Sequence, residues 1–448
     1  MVKLSIPQGT RDFGPDVVRK RNYIFATIRQ SFERFGFQPL ETPAMENTST
    51  LLGKYGEEGD KLIFKIINNG PNILGQAQMA KDSRELGLLL CEKSLKYDLT
   101  IPFARYVVMN HGKLQLPFRR YQMQPVWRGD KPQRGRYREF YQCDADVVGS
   151  NSLLNEIELL QIYDTVFNNL GLGNYRMKIN NRKVLTGLAE LVGRPDLMLD
   201  ITIAIDKLDK IGDNGVREEL AQRGLAAKEI DLVMEFISLQ GSNESKLERL
   251  SQLFTNSPTG LKGVEELRFI IGSGLTAFSS LPEIDLTLAR GLNYYTGMIV
   301  EVKAPAHVNM GSIGGGGRYD DLTGLFGLPG ISGVGISFGV DRIYDVLEEL
   351  QLFPETAQQG SQVIFFHPGA GKLAEVFGYV TRLRQRGINT EIYPDDIKQD
   401  KQFKYAEKRG IPYIGYVEDS APGKISFRNM IVKQRYSLSP EELDTFEF

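Results

Sequence analysis

Apolar positions recur along the chain in two periods, and the switches between them mark its elements. After Pro15, Val17, Ile24, Ile28, Phe32 and Phe35 fall at helical spacing and Gly36 stops the pattern. This predicts an amphipathic helix opened by proline and closed by glycine. Phe37–Pro43 reads as a short strand. Over Phe118–Gly149, QMQPVW, a polar turn GDKPQRGR, and YREFYQCDADVV predict a hairpin with a long charged loop. Ser152–Leu170 returns to helical spacing through Leu153, Ile157, Leu160, Ile162 and Phe167, and Tyr175–Ile179 is strand-like. From about Asn181 to Thr276 the chain becomes charged and helical (IDKLDKIG, VREELAQRGL, AKEIDLVMEFISL, SKLERLSQLF) with no strand signal. Strand patterns resume at Leu286–Leu288 and Gly297–Lys303, followed by the glycine run GSIGGGGRYDD and by GVGISFGVDRIYDVLEEL, a strand running into a helix. Leu352–Gln362 has linker composition. Beyond it VIFF, a helix near Leu373–Gln385, INTEIY, a helix near Gln399–Arg409 and IPYIGYV alternate as βαβαβ, a small sheet with crossover helices.

Composition narrows the chemistry. The 448 residues are 41% hydrophobic and 25% charged, ordinary for a soluble globular chain of about two to four domains. The 54 Lys+Arg against 56 Asp+Glu leave a net charge of −2, which excludes a wholly basic nucleic-acid coat but not a local patch. Cys91 and Cys143 are too few for a disulfide framework or a four-thiolate zinc site and read as reduced thiols. His111, His307 and His367 lie far apart, so no histidine-based metal site is expected. The N-terminus has no apolar signal region, and no apolar run approaches the roughly eighteen residues of a membrane span. The expectation is a cytoplasmic chain that meets no membrane. There is no GxxxxGK[ST], and GVGISFG is not the dinucleotide fingerprint, so a bound nucleotide needs another architecture.

Four segments could carry chemistry, each with a plainer alternative. Lys113–Arg138 holds eight Lys/Arg against Asp130 alone, a net +7, suited to phosphate oxygens or else a solvated hairpin balanced by neighbouring acids. In LARGLNYYTG, Arg290 lies among mostly apolar residues, as a functional group or a core ion pair. The glycines of GGGGRYDD allow close approach of a ligand or backbone, or make a turn. GVGISFGVDR leaves room for a flat ring above Arg342, or serves strand–helix packing.

Taken in order, these strings resemble the histidyl-tRNA synthetases, a class II aminoacyl-tRNA synthetase family. The likeness covers essentially the whole chain. It is carried by GTRDFGP, PLETP (motif 1), LKYDLTIPFARY, VWRGDKPQRGRYREFYQCDADVVG (motif 2), LARGLNYYTG, GGGGRYDDLTGLFG, GVGISFGVDRI (motif 3) and QFKYAEKRGIPY. The resemblance implies an α+β catalytic domain with an antiparallel class II sheet at 1–350, carrying a helical insertion at about 185–275. A linker at 351–361 and a C-terminal α/β anticodon-binding domain at 362–448 would follow. It implies a ligase that activates L-histidine with ATP and transfers it to tRNA(His), with Mg2+ accompanying ATP, and a homodimer formed near Glu41–Pro43.

Residue by residue, Arg128 matches the motif 2 arginine on the α-phosphate and the histidine carboxylate. Arg290 matches the arginine placed opposite it, where charge grows in the transition state. Arg136 and Arg342 match further phosphate contacts, and Glu139 or Phe140 stands where motif 2 meets adenine. Asp98, Thr100 and Gln142 match groups around the α-amino group. Asp146 and Tyr295 match groups on the imidazole nitrogens, with Tyr294 beside them; Asp146 could instead be a buried arginine partner. Tyr319 and Arg318 match the element that closes the pocket. Gln133 and Arg134 are candidates for the tRNA acceptor end, and Lys404 and Arg409 for the anticodon region, where Lys398–Gly410 carries five Lys/Arg against two acids. Asp98, Asp146, Asn293 and the GDKPQ loop depart from the pattern of many bacterial relatives, which puts fine pocket geometry in question. A rival reading is the catalytically inactive paralogue that regulates histidine biosynthesis, which usually lacks the C-terminal domain and has eroded motifs; this chain has both the domain and the motif arginines.

Overall fold

The computed structural model describes residues 4–70, 73–274, 277–289, 294–358, 360–417 and 423–448. Two compact units emerge. One comprises the described residues up to Phe13 with Arg21–Phe353; the other comprises Gly14–Lys20 with Pro354–Phe448. Among the described residues no helix is long and apolar enough to cross a membrane.

The first unit contains strands β1 (Gln38–Pro39), β2 (Met45–Asn47), β3 (Lys65–Ile66), β4 (Lys93–Leu95), β5 (Phe118–Trp127), β6 (Glu139–Val148), β7 (Arg176–Asn181), β8 (Glu283–Ile284), β9 (Met298–Lys303), β10 (Gly314–Tyr319) and β11 (Gly333–Gly339). Eight of them form one sheet in the order β1-β5-β6-β11-β10-β9-β7-β8. The six inner strands are antiparallel, as expected, but both outer pairs (β1 with β5, β7 with β8) are parallel, so the sheet is mixed. The hairpin predicted from Phe118–Gly149 is its centre, paired from Phe118↔Val148 to Trp127↔Glu139. Strands β2-β4-β3 make a separate small sheet that the sequence pattern did not announce.

Helix Pro15–Arg34 starts on proline and ends before Gly36, whose φ of 77° lies where glycine is favoured. Its buried Ile24, Ile28 and Phe32 lie four residues apart, and the Phe32 ring meets Phe338 of β11 at 5.8 Å. Helix Leu154–Asn169 also crosses the sheet, and its buried Tyr163 hydroxyl donates to the carbonyls of Gly315 and Ser337 at 2.9 Å each. The charged stretch after β7 is helical throughout its described length, with six helices from Arg182–Leu191 to Pro258–Gly272.

One local expectation is corrected and one alternative is set aside. Leu286–Leu288 is not a strand: Asp285 accepts hydrogen bonds from the Thr287 amide (2.9 Å) and hydroxyl (2.6 Å), a local turn that outcompetes pairing and leaves only Glu283–Ile284 extended. The glycine run GGGGRY is not a turn but strand β10, deep inside the sheet.

The second unit contains β12 (Val363–Phe365), β13 (Thr390–Ile392), β14 (Tyr413–Tyr416), β15 (Ile425–Asn429) and β16 (Arg435–Leu438), in the order β13-β12-β14-β15-β16. The predicted βαβαβ part is parallel, while β15 and β16 add an antiparallel pair beyond that reading. Alternate residues of β12 serve two cores: Val363 and Phe365 pack with helix Leu373–Gln385, and Ile364 with Ala406 of helix Gln399–Lys408.

Candidate active site

Gln142, Asp144 and Asp146 alternate along β6, so the period of two turns all three toward one face. That face holds a cavity of about 480 Å³, lined among others by Arg128, Arg136, Phe140, Gln142, Tyr295, Glu301 and Arg342. A deeper recess of about 50 Å³ shares Arg128, Gln142, Tyr295 and Ser337 with it. Asp98, Thr100, Asp144, Asp146, Tyr294 and Tyr319 complete the recess.

Glycines make the space. A Cβ on Gly335 would stand 1.9 Å from Asp146 Oδ1, and one on Gly333 would stand 2.2 Å from the Tyr319 ring. On β10, a Cβ at Gly316 would meet the Gly335 carbonyl oxygen at 2.2 Å. The glycine-rich strands therefore yield their volume to the pocket side chains and to each other.

Asp146 is buried and gripped twice: Oδ1 accepts the Tyr319 hydroxyl at 2.5 Å, and Arg120 Nη2 lies 2.8 Å from Oδ2. Burial pushes its carboxyl up, and the Arg120 guanidinium opposes this. Both readings of Asp146 thus meet in one place, since it is a pocket wall and the partner of a fully buried arginine. Asp98 accepts the Tyr55 hydroxyl (2.9 Å) and the Ile101 amide (3.1 Å), and burial raises its carboxyl as well. Tyr294 hydrogen-bonds Thr100, and its ring meets that of Tyr295 at 5.0 Å. Burial raises both phenols, so they are neutral donors at physiological pH.

Arg128 follows the end of β5. Its Nε donates to the Tyr97 carbonyl at 3.0 Å and its guanidinium lies 4.3 Å over the Tyr97 ring, an arrangement that fixes the fork at the junction of recess and cavity. Gln142 donates to the Ser337 hydroxyl at 2.9 Å. Arg342 donates to the carbonyls of Gly135 (2.6 Å) and Ser312 (2.7 Å) at the far wall. Its neighbour Asp341 receives Arg11, Arg21 (2.6 Å) and the Tyr141 amide (3.1 Å), tying the GTRD segment to the motif 3 helix.

Some expected residues stand elsewhere. Phe140 lines the cavity, whereas the exposed Glu139 accepts from the Trp127 indole at 3.1 Å outside it. Arg318 turns to the opposite face of β10 from Tyr319 and pairs with buried Glu156 at 2.5 Å. Arg134 pairs with Glu349, and Gln133 bridges to the Arg136 backbone. Lys404 is exposed on its helix, and Arg409 donates to the Tyr405 hydroxyl at 2.8 Å. Arg290 and Asn293 lie outside the described residues. Within the +7 segment, Arg119 pairs with Glu158 (2.6 Å), Arg120 with Asp146 and Arg134 with Glu349, while Arg128 and Arg136 line the cavity, Arg136 lying 3.7 Å from Asp130. Sequence reasoning missed Asp144, Arg120, Tyr55 and Tyr97. The alternation Gln142-Asp144-Asp146 was the available signal for Asp144.

Comparison with known proteins decides the family. The model of the family described as "Histidyl-tRNA synthetase" matches residues 91–343, and that described as "Anticodon binding domain" matches residues 363–446. The chain is 53% identical over 447 residues to the Histidine--tRNA ligase of Phocaeicola vulgatus, covering 98% of each. The chain belongs to the histidyl-tRNA synthetase family. It is also 54% identical over 421 residues to the Histidine--tRNA ligase of Christiangramia forsetii, covering 92% of this chain and 91% of that one. The solved histidyl-tRNA synthetase from Nostoc sp. PCC 7120 superposes with a TM-score of 0.82 at 30% identity, covering 99% of both chains. Membership of a family with a class II fold accounts for a chain that carries no P-loop and presents this sheet instead.

Proposed function

We propose that the chain is a class II histidine--tRNA ligase that joins L-histidine to ATP as histidyl-adenylate and passes the histidyl group to tRNA(His). The observations that carry this reading are the near-full-length similarity to ligases and a small polar recess that shares its wall with a larger cavity lined by Arg128, Arg136 and Arg342. In this reading the recess takes histidine and the cavity takes ATP. Arg128 at the junction, with Arg290, holds the α-phosphate as the histidine carboxylate attacks, and the forks stabilise the added charge. The carboxylate is already ionised, so no side-chain base is required. Arg136 and Arg342 hold the outer phosphates, and Phe140 is placed to meet the adenine. Asp98, Thr100 and Gln142 take the α-amino group, while Asp146 and Tyr295 take the imidazole. Mg2+ would arrive with ATP, bound mostly through phosphate oxygens and water, and Glu301 and Asp130 of the cavity wall would be the carboxylates available to it.

The tRNA anticodon is assigned to the second unit, where Lys404 and Arg409 offer charge, and the acceptor end to Gln133 and Arg134. We further propose a cytoplasmic homodimer: β1 is a two-residue edge strand followed by exposed Glu41 and Pro43. The regulatory-subunit alternative is not favoured, because the chain matches ligases end to end and keeps the anticodon-binding domain. The test is charging of total tRNA with each labelled amino acid. Histidine alone should become acid-stable on tRNA, and attachment of any other amino acid refutes the assignment.

A further inference from the structure

Asp144 stands in the recess without a role in the pattern of roles just given. It is 2% exposed and lies between Gln142 and Asp146 on the pocket face of β6. The Ser337 hydroxyl hydrogen-bonds its carboxylate, yet Oδ1 has no hydrogen-bond partner among the described residues. A buried acceptor left open at the wall of a cavity is costly unless something fills it. The titratable and charged groups around it are Asp146 and Cys143 beside it, Arg120 across the hairpin, Arg128 in the recess wall, Asp98, Lys96, Tyr295 and Tyr163. Three carboxylates thus converge on the recess.

We propose that Asp144 is a further specificity-determining residue, which accepts one imidazole N–H while Asp146 accepts the other, so that this pocket binds histidine as the imidazolium. The proposal rests on the reading of the recess as the histidine site. Its logic is donor counting. A neutral imidazole has one N–H and one bare nitrogen, and two carboxylate acceptors suit a ring with both nitrogens protonated. Burial raises the Asp144 carboxyl to about 7, so the empty site can itself hold the proton near neutrality. When neutral histidine enters at pH 8, where Asp144 is largely ionised, one proton is taken from solvent and placed on the ring; the only bond made is the new N–H.

The test is calorimetry of L-histidine binding to the full-length protein at pH 8, in two buffers of different ionisation enthalpy. The proposal predicts uptake of close to one proton per histidine in the wild type and a clear loss of that uptake in Asp144→Asn. A second arm compares histidine with 1,2,4-triazole-3-alanine, an isostere that is not protonated near neutral pH, in ATP–pyrophosphate exchange. Asp144→Asn should raise the histidine KM ten-fold or more, leave the ATP KM unchanged, and lose less with the triazole, so that discrimination narrows. Binding of histidine with no proton uptake in the wild type overturns the proposal while leaving the enzyme assignment intact. So does an equal loss for both amino acids. If the variant fails to fold, the wild-type proton count still decides. Failure of histidine to bind or drive exchange at all would instead overturn the reading of the recess.

Discussion

Asp146 and Asp144 sit two residues apart on one strand, yet their surroundings differ. Asp146 has the Tyr319 hydrogen bond on Oδ1 and the Arg120 charge beside Oδ2, which itself lacks a hydrogen bond, whereas Asp144 has Ser337 and an Oδ1 without a hydrogen bond. The second carboxylate therefore carries a stability cost whose sign is definite. An unfolded chain loses the Asp144 proton near the ordinary value of 3.8, while the native chain keeps it until about 7. Between those values the native state binds more protons than the unfolded one, so stability falls as pH rises and levels off above 7. Removing the charge with Asp144→Asn should raise the melting temperature more at pH 8 than at pH 5; an equal shift at both would contradict this. Arg290, known only from the sequence, carries a different prediction. Arg290→Lys keeps the charge but loses the fork, so pyrophosphate exchange should fall by about 10²–10³-fold while histidine affinity holds. Equal losses in both would remove Arg290 from the transition state. Most of the pocket was legible because motif strings carry it; Arg120 and Asp144 were not, since a charge inside a strand reads equally as surface or core until its facing side is known.

At the scale of elements, the glycine strands are the unusual feature. Strand β10 has four glycines in six residues, and β11 has three in seven. Such strands sacrifice side-chain packing and gain close approach. Gly335→Ala should be severe because the new methyl falls 1.9 Å from Asp146 Oδ1, and the carboxylate must move. We expect the histidine KM to rise by at least ten-fold with the ATP KM little changed, measured by exchange; a variant with wild-type histidine KM would contradict the packing argument. The long elements were legible in advance: helix Pro15–Arg34, both ten-residue hairpin strands and helix Leu373–Gln385 each present a sustained period. The two-residue strands β1, β3 and β8 carry no period to read. Strand β10 escaped because a run of glycines has no pattern of faces at all, and its strand state is set by neighbours on both sides.

For the whole molecule, every residue lining the two cavities falls between Tyr97 and Arg342, inside the first unit. In the proposed assignment histidine activation is therefore a property of that unit; the second unit has a sheet of its own. The near-neutral balance of −2 conceals local order: Arg119 and Arg134 of the hairpin pair with acids elsewhere in the fold, Arg120 pairs with Asp146 within it, and Arg128 and Arg136 line the cavity. The proposed dimer predicts a solution mass of roughly twice 50.4 kDa by light scattering at micromolar concentration, and a monomeric mass would refute it. The central claim, that the recess selects histidine for adenylation, is tested most directly by ATP–pyrophosphate exchange with each of the twenty amino acids in turn. The account predicts exchange with L-histidine alone; exchange driven by another amino acid, or none with histidine, would contradict it.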